Sequence, residues 1–242
     1  MSNKTTSSLF RRFSNFIALK TDLYLSHKPD VHTKLNKIDD WEELYSHWII
    51  NSPRNDKGDL VRLYFLLSQI EYIKTNDIKG AIAEVGVFKG TTAKLFHKSF
   101  PQKELFLFDT FDGFDARDVS HHKENSGAES GGWNTSLEYV SEFVGKSPLV
   151  KLYPGYFPDT TKGIEEDKEY SLVHLDADLY NPQISGLEYF YPKITKGGVI
   201  IIHDCNNGYS GSRKALDEFF EDKIETPIII PDKSGSAIII KI

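Results

Sequence analysis

The feature that most constrains the fold is the stretch 81–92, in which a short apolar run passes through an acid and ends at two glycines. A helical pattern follows at once, so the stretch predicts a strand, a tight turn and the start of a helix. In an open α/β sheet this corner binds nucleotide-like cofactors, because the helix N-terminus presents backbone N–H groups and the positive end of the helix dipole. A plain strand-to-helix turn has the same pattern, so the motif alone leaves both interpretations open.

The spacing in this turn is Glu84-x-Gly86-x-x-x-Gly90, which differs from the Gly-x-Gly-x-x-Gly pattern of dinucleotide-binding turns. The glycines allow the backbone to bend and to approach a ligand closely. Glu84 determines which ligand we expect, since a carboxylate repels a pyrophosphate but attracts the ammonium group of an amino acid. The turn therefore favours a cofactor with a cationic amino-acid part and disfavours a dinucleotide oxidoreductase.

Composition limits the classes of protein to which the chain can belong. Of its 242 residues, 39% are hydrophobic, which suffices for one good-sized α/β domain or two small ones. The net charge of −6 argues against a general nucleic-acid binder, which needs surplus lysine and arginine to neutralise phosphates. No apolar run approaches the roughly 20 residues of a membrane span. The only cysteine, Cys205, excludes an internal disulfide and favours a reducing compartment, so we expect a cytoplasmic protein.

Residues 1–79 show helical rather than strand periodicity. Apolar side chains recur at helical spacing, which predicts a helix near 40–50 and an amphipathic helix over 57–75. The first twenty residues carry basic and apolar side chains and no acid; an amphipathic helix or a loose arm explains them, although a transit peptide has a similar composition. We interpret 1–79 as a helical N-terminal extension and 80–242 as the main domain.

From residue 80 the pattern alternates between strands and helices. Strands are predicted at 81–85, 105–109, 150–153, 172–176 and 199–203, and helices at 91–99, 137–144, 182–191 and 212–221. Two apolar runs, 227–230 and 237–242, predict a terminal hairpin. Residues 110–136 form a long irregular excursion, for which a lid is the usual explanation, and the His121-His122 pair within it fits a solvated loop.

This order of elements indicates a fold class. A dinucleotide-binding fold continues to alternate between strands and helices to its end. An antiparallel hairpin after a parallel run is similar to the arrangement of class I S-adenosylmethionine-dependent methyltransferases. We therefore expect an α/β, Rossmann-like methyltransferase fold with a mostly parallel seven-stranded sheet, a C-terminal antiparallel hairpin and a helical N-terminal extension.

Acidic residues follow three of the predicted strands, at the edge where open α/β sheets bind ligands. Asp109 ends the second strand, where an acid can accept hydrogen bonds from ribose hydroxyls or cap the following loop. Asp176 and Asp178 lie at the end of the fourth strand, and His203 and Asp204 at the end of the fifth. An oxygen-rich cluster of this kind suits Mg²⁺, which would lower the pKa of an acceptor hydroxyl while a carboxylate takes its proton.

Some of these side chains also have ordinary structural explanations. Asp178 and Asp204 are well placed to cap the helices that follow them. His174 lies within a predicted strand, where a histidine is usually a hydrogen-bonded core residue. His203, at the end of a strand, fits a core role or a functional role equally well.

Several motifs, taken together, resemble those of the macrocin O-methyltransferase family. They occur in the family's order at 84–90 (EVGVFKG), 108–114 (FDTFDGF), 174–180 (HLDADLY), 187–192 (LEYFYP), 197–198 (GG) and 211–219 (GSRKALDEF). The resemblance covers roughly residues 60–242. It implies methylation of sugar hydroxyls in macrolide and aminocoumarin antibiotics, with S-adenosylmethionine as the methyl donor.

The resemblance also implies roles for individual residues. The implied cofactor-binding residues are Glu84, Gly86, Gly90 and Thr91 around the methionine part, Asp109 at the ribose, and Asp176. Asp176 and Asp204 match positions of metal ligands, Asp178 matches the general base, and 110–136 match part of the lid. Where the family has an Asp-Asp pair, this chain has His203-Asp204. His203 thereby becomes a candidate metal ligand and catalytic residue, and the site opens to a softer cation such as Mn²⁺.

We therefore predict an S-adenosylmethionine-dependent O-methyltransferase that acts, with a divalent cation, on a hydroxyl of a sugar or glycosylated small molecule. Two alternatives stay open. The same fold can methylate another acceptor, such as a catechol or a lipid-linked glycan, or hydroxylate rather than methylate. The departure at His203 also fits a catalytically impaired S-adenosylmethionine-binding protein. The expected partner is a small-molecule or sugar acceptor, without nucleic acid or a membrane span, and the sequence leaves a homodimer open.

Overall fold

The computed structural model describes residues 59–119, 129–205 and 211–242, and seven single positions before them: Phe13, Phe16, Ile17, Lys20, Leu44, Ser46 and Trp48. The predicted arm at the start of the chain, most of the predicted helix near 40–50 and the His121-His122 pair lie outside the described residues. Within the described part, no helix has the length and apolar character needed to cross a membrane.

A seven-stranded sheet in the order β3-β2-β1-β4-β5-β7-β6 forms the centre of the molecule. Its strands are β1 (Ala81–Val85), β2 (Leu105–Asp109), β3 (Val150–Pro154), β4 (Tyr170–Leu175), β5 (Ile194–Ile202), β6 (Ile228–Ile230) and β7 (Ser236–Ile240). Strands β1 to β5 pair in parallel, whereas β7 pairs antiparallel with both β5 and β6. This mostly parallel sheet with a C-terminal antiparallel hairpin confirms the predicted α/β fold class.

Helices cover both faces of the sheet. They are α1 (Leu60–Thr75), α2 (Thr91–Ser99), α3 (Ala116–Val119), α4 (Leu137–Val144), α5 (Tyr180–Phe190) and α6 (Gly211–Phe219), with 3₁₀ turns at Asp159–Thr161 and Tyr191–Lys193. Leu105 and Leu107 of β2 lie in the core cluster that contains α1, α2 and α4, whereas Phe106 and Phe108 lie in the cluster on the other face with α5 and α6. Residues 105–108 of β2 are all apolar because both faces of the sheet are covered there.

Two strand boundaries differ from the prediction and place two of the candidate site residues just beyond the strands. β4 covers Tyr170–Leu175, so Asp176 follows it, and β5 ends at Ile202, so His203 follows it too. β5 also begins at Ile194 rather than at 199, and Gly197 and Gly198 therefore lie inside the strand. These glycines are held there because Gly197 donates to the carbonyl of Lys241 and Lys241 donates to the carbonyl of Gly198.

Asp59 fixes the start of α1 beside the carboxyl edge of the sheet. Its side chain accepts the backbone N–H of Arg62 at 3.0 Å, which caps the helix, and the backbone N–H of Lys233 in the β6–β7 turn at 2.7 Å. The helix begins at Leu60 rather than at 57 because of this cap. The position of the helix brings its first turn next to the ends of β4 and β5. The division of the chain into two parts at residue 79 stays a prediction.

Candidate active site

A cavity of about 250 Å³ opens at the carboxyl ends of the parallel strands. The turn after β1 forms one part of its wall, and the polar residues after β4 and β5 form a neighbouring part. The predicted site residues that line this cavity are Glu84, Gly86, Thr91, Asp109, Asp176, Asp178, His203 and Asp204. Gly90 is not among the lining residues, so its contact with a cofactor stays a prediction.

The two glycines of the turn are required by contacts within the protein. Gly86 has φ +83°, and a Cβ atom there would lie 2.1 Å from the carbonyl oxygen of Asp176. Gly90 caps α2 in the left-handed conformation, with φ +78°, and a Cβ atom there would lie 2.9 Å from Cγ2 of Val144 on α4. Packing around the turn therefore explains the glycine spacing, in addition to any close approach by a ligand.

Glu84 and His174 face each other across β1 and β4 and are both buried. Nδ1 of His174 lies 2.9 Å from Oε1 of Glu84, which confirms His174 as a hydrogen-bonded core histidine. Desolvation, with a contribution from nearby Asp176, raises the pKa of Glu84 well above its ordinary value. Desolvation also lowers the pKa of His174 to about 3. Oε2 of Glu84 is buried and has no hydrogen-bond partner among the described residues.

Asp109 connects the turn after β1 to the loop after β2. Its Oδ2 accepts the backbone N–H groups of Val87 at 2.7 Å and Phe88 at 2.9 Å, and its Oδ1 accepts that of Phe111 at 2.8 Å. A carboxylate offers about four acceptor positions, so Oδ1 keeps one for a ligand hydroxyl. The side chain is thus a loop cap in the structure, and its contact with a ribose stays a prediction.

The residues after β4 and β5 converge on one point. Nδ1 of His203 lies 2.8 Å from Oδ1 of Asp176 and 3.0 Å from Oδ2 of Asp204, and these three residues offer ligand atoms that all lie within 4.8 Å of one another. Desolvation and Arg62 lower the pKa of His203, but the two carboxylates outweigh them and raise it to about 10. The same contacts lower the pKa of Asp176 and of Asp204 despite their desolvation.

Burial and a neighbouring charge disfavour the ionisation of Asp178. Desolvation and the adjacent charge of Asp204 raise its pKa well above the ordinary value. Asp178 and Asp204 both have positive φ, at 59° and 58°, as do Phe88 and Trp133, which also line the cavity. Non-glycine residues seldom adopt this conformation, and such strain is typical of functional sites.

Arg62 of α1 is a member of the site that the sequence did not reveal. Its Nη1 lies 2.7 Å from Nε2 of His203 and 3.7 Å from Oδ2 of Asp176. Its guanidinium lies over the ring of Trp48, 4.9 Å from the centroid, and both residues line the cavity. Helical periodicity identifies the buried face of α1 but carries no signal that Arg62 contacts His203.

The two ends of the excursion are held together over the cavity. The backbone N–H of Phe114 donates to the carbonyl of Gly132 at 3.1 Å, and that of Gly131 donates to the carbonyl of Phe114 at 3.1 Å. Trp133 packs edge-on against Phe88 of the turn after β1, with ring centroids 5.7 Å apart. The excursion therefore contributes to the cavity wall as expected, and its movement as a lid stays a prediction.

Two known proteins that are similar to this chain are O-methyltransferases, and the matching family model describes the same activity. The family model described as Macrocin-O-methyltransferase (TylF) matches residues 58–238. An 8-demethyl-8-(2,3-dimethoxy-alpha-L-rhamnosyl)-tetracenomycin-C 4'-O-methyltransferase of Streptomyces olivaceus is 26% identical over 163 residues, which are 60% of each chain. A mycinamicin III 3''-O-methyltransferase of Micromonospora griseorubida is 25% identical over 191 residues, or 72% of this chain and 74% of the relative. The chain thus spans 60% of the length of the first relative.

The fold is similar to that of a solved methyltransferase. The O-methyltransferase NovP superposes with a TM-score of 0.67 over 75% of this chain and 80% of NovP. The two sequences are 22% identical, so this likeness concerns the fold.

Proposed function

The chain belongs to the macrocin O-methyltransferase family, and from this membership and the geometry of the cavity we propose that it transfers a methyl group from S-adenosylmethionine to a hydroxyl group. The observation that carries the proposal is the arrangement of one cavity. One part of its wall, the first wall, has a buried carboxyl oxygen on Glu84 that has no hydrogen-bond partner in the part of the chain that the structure describes. The neighbouring part, the second wall, has the carboxyl groups of Asp176, Asp178 and Asp204. A cationic donor and a hydroxyl acceptor would thus meet between walls suited to each.

The residues of the first wall fit the cofactor. An ammonium group at Oε2 of Glu84 would satisfy an oxygen that otherwise lacks a partner and would favour the ionised carboxylate. Oδ1 of Asp109 can accept one hydrogen bond from a ribose hydroxyl, and Thr91 begins α2 beside the turn. When bound, S-adenosylmethionine supplies the electrophilic methyl group on its sulfonium.

We infer that the acceptor is a sugar or a glycosylated small molecule. The name of the Streptomyces olivaceus relative describes a rhamnosyl substrate, and family membership supports the same class here. The second wall is suited to hydroxyl groups because ionised carboxylates accept their hydrogen bonds. This part of the proposal identifies a class of acceptor rather than one compound.

Asp178 is the proposed general base. The acceptor oxygen forms a bond to the methyl carbon while the carbon–sulfur bond breaks, and the hydroxyl proton passes to the carboxylate of Asp178. The raised pKa of Asp178 brings it closer to neutrality, where a general base is most effective. The rigid strand ends hold the reacting groups in line, and this positioning supplies much of the rate.

The donor set of Asp176, His203 and Asp204 fits a divalent cation. Carboxylate oxygens and an imidazole nitrogen are ligand types that divalent cations accept, and these atoms all lie within 4.8 Å of one another. Nδ1 of His203, which faces both carboxylates, would have to lose its proton to hold such a cation. An imidazole among the ligands favours Mn²⁺ over Mg²⁺. A cation held there would lower the pKa of the acceptor hydroxyl.

The test is methyl transfer from labelled S-adenosylmethionine to a panel of sugar nucleotides and glycosylated small molecules, with and without Mn²⁺ or Mg²⁺. We expect product formation with at least one acceptor. Asp178→Asn should lower kcat by roughly 10²- to 10⁴-fold while the Kd of S-adenosylmethionine stays nearly unchanged. The control, Asp222→Asn, alters an exposed acid and should keep full activity.

Two results would contradict the proposal. Full activity of Asp178→Asn would exclude Asp178 as the general base. Calorimetric binding of S-adenosylmethionine without transfer to any acceptor would instead favour the alternative of a catalytically impaired cofactor-binding protein, which the family departure at His203 supports.

A further inference from the structure

The cluster that fits a divalent cation already contains a cation of the protein. The guanidinium of Arg62 contacts two of the three candidate ligands, with Nη1 2.7 Å from Nε2 of His203 and 3.7 Å from Oδ2 of Asp176. Guanidinium stays charged at every pH at which proteins are folded. While Arg62 occupies this position, the cluster therefore has a positive charge beside it that pH does not remove.

Two contacts hold Arg62 in this place. Its backbone N–H donates to the side chain of Asp59 at 3.0 Å, which fixes the first turn of α1. Its guanidinium lies 4.9 Å from the centroid of the Trp48 ring, a distance at which a cation and an aromatic face attract each other. The Arg62 side chain is only 21% exposed, so its charge is directed into the cluster rather than into solvent.

A divalent cation on the same ligands would lie very close to this guanidinium. Nη1 is 3.1 Å from Nδ1 of His203, and a metal about 2.1 Å from that nitrogen would be within about 5 Å of Nη1. Like charges at this separation repel strongly at a site that is largely shielded from water. Binding of the metal therefore requires that Arg62 move away or that its charge be removed.

We propose that Arg62 and a divalent cation are alternative occupants of the cluster of Asp176, His203 and Asp204, so that Arg62 keeps the metal affinity of this chain low. The inference deepens the metal part of the proposed function and rests on that part alone. It also gives Arg62 a role as the resident counter-charge of the two carboxylates. Methyl transfer in the absence of metal would then take place beside the guanidinium.

The experiment measures Mn²⁺ binding, with the electron paramagnetic resonance signal of free Mn²⁺ as the readout. Arg62→Gln removes the charge, and Arg62→Met removes it while keeping an apolar stem against Trp48, which provides a second variant if the first does not fold. The matched control is Arg213→Gln, which removes the same charge from an exposed ion pair with Asp217 on α6. We expect the Arg62 variants to bind Mn²⁺ at least tenfold more tightly than the wild-type protein and the control.

A further variant locates the binding site. Adding Asp176→Asn to Arg62→Gln should abolish the gain in affinity. Equal or weaker Mn²⁺ binding by folded Arg62 variants would overturn the inference, and so would a gain that Arg213→Gln shares. If no variant binds Mn²⁺, the inference and the metal part of the proposed function fail together. The metal-free methyl-transfer assay tests the remaining function separately.

Discussion

At the scale of single residues, the register of the sheet determines the electrostatics of the cavity. The pairing of β1 with β4 places Glu84 directly opposite His174, where neither side chain reaches water. The resulting desolvation disfavours an ionised Glu84 even though a histidine lies 2.9 Å away. The same residue would gain an ammonium partner from the cofactor. In the apoprotein we therefore expect the burial of Glu84 to cost stability, and we expect an ammonium group of the cofactor to offset this cost.

This interpretation predicts the effect of Glu84→Gln on stability in the absence of cofactor. The native pKa of Glu84 lies well above its ordinary value of 4.5. As the pH rises above 4.5 the unfolded chain releases the proton before the native protein does, so wild-type stability falls until the native pKa is reached. Glutamine cannot ionise. The stability of Glu84→Gln relative to wild type should therefore increase with pH by up to about 1.4 kcal/mol per pH unit within this window.

Urea unfolding at pH 5 and at pH 7.5 measures this difference. The control is Glu142→Gln, which alters an exposed acid of α4 and should leave the difference between the two pH values unchanged. A stability gap between Glu84→Gln and wild type that is constant or that shrinks with rising pH would show that Glu84 is ionised throughout.

The residues of the site differ in how far the sequence could predict them. The convergence of Asp176, Asp178 and Asp204 follows from parallel strands that end at one edge, and the structure brings them to one cavity. Arg62 could not be predicted in this way, since its contact with His203 spans 141 positions and depends on where the Asp59 cap starts α1. The backbone contacts of Asp109 likewise depend on loop geometry, which side-chain spacing does not encode.

At the scale of elements, one buried acid fastens the excursion to the rest of the fold. Oδ1 of Asp118, on α3, accepts the hydroxyl of Tyr156 and the side-chain amide of Asn181, each at 2.9 Å. Tyr156 follows β3 and Asn181 lies in the first turn of α5, so a single carboxyl group connects three segments around the cavity. Desolvation raises the pKa of Asp118, although these two donors oppose the shift.

Asp118→Ala is therefore expected to loosen this corner of the cavity. The substitution leaves the Tyr156 hydroxyl and the Asn181 amide without their acceptor, and we expect a loss of about 2–4 kcal/mol in the free energy of unfolding. Asp118→Asn keeps one acceptor oxygen and should lose less. Urea denaturation measures both values, with Asp167→Ala, a change at an exposed loop acid, as the control. A loss below about 0.5 kcal/mol for Asp118→Ala would show that the three segments are held by other contacts.

The bounds of β2 and β5 show where the local sequence is sufficient to predict the extent of a strand and where it is not. β2 covers Leu105–Asp109, as its apolar run predicts, because both faces of that strand are buried. β5 is longer than its apolar run because backbone hydrogen bonds to Lys241, near the end of the chain, extend it through Gly197 and Gly198. A strand that is lengthened by a distant partner carries no local signal, and glycines are usually read as breaks.

At the scale of the whole molecule, the cavity wall and the hydrophobic core are built in part from the same side chains. Trp48 and Leu63 belong to the cluster of buried side chains that covers one face of the sheet, while Trp48 also lines the cavity beside Arg62. The cavity wall is built from segments that lie far apart in the sequence, from Trp48 to Ser234. A ligand that contacts these segments together requires the complete fold, so its binding free energy adds to the stability of the native state.

Because binding and folding are coupled in this way, S-adenosylmethionine should stabilise the native protein against thermal unfolding. At a concentration of S-adenosylmethionine 100 times its Kd, the native state should gain about 2.7 kcal/mol. For a chain of this size each kcal/mol raises Tm by about 2–4 °C, so we expect an increase of about 5–11 °C in thermal unfolding. S-adenosylhomocysteine should also raise Tm, whereas ATP should not, because its phosphates would meet the acid of the turn at Glu84. An equal rise with ATP would contradict the assignment of this wall to an amino-acid ammonium group.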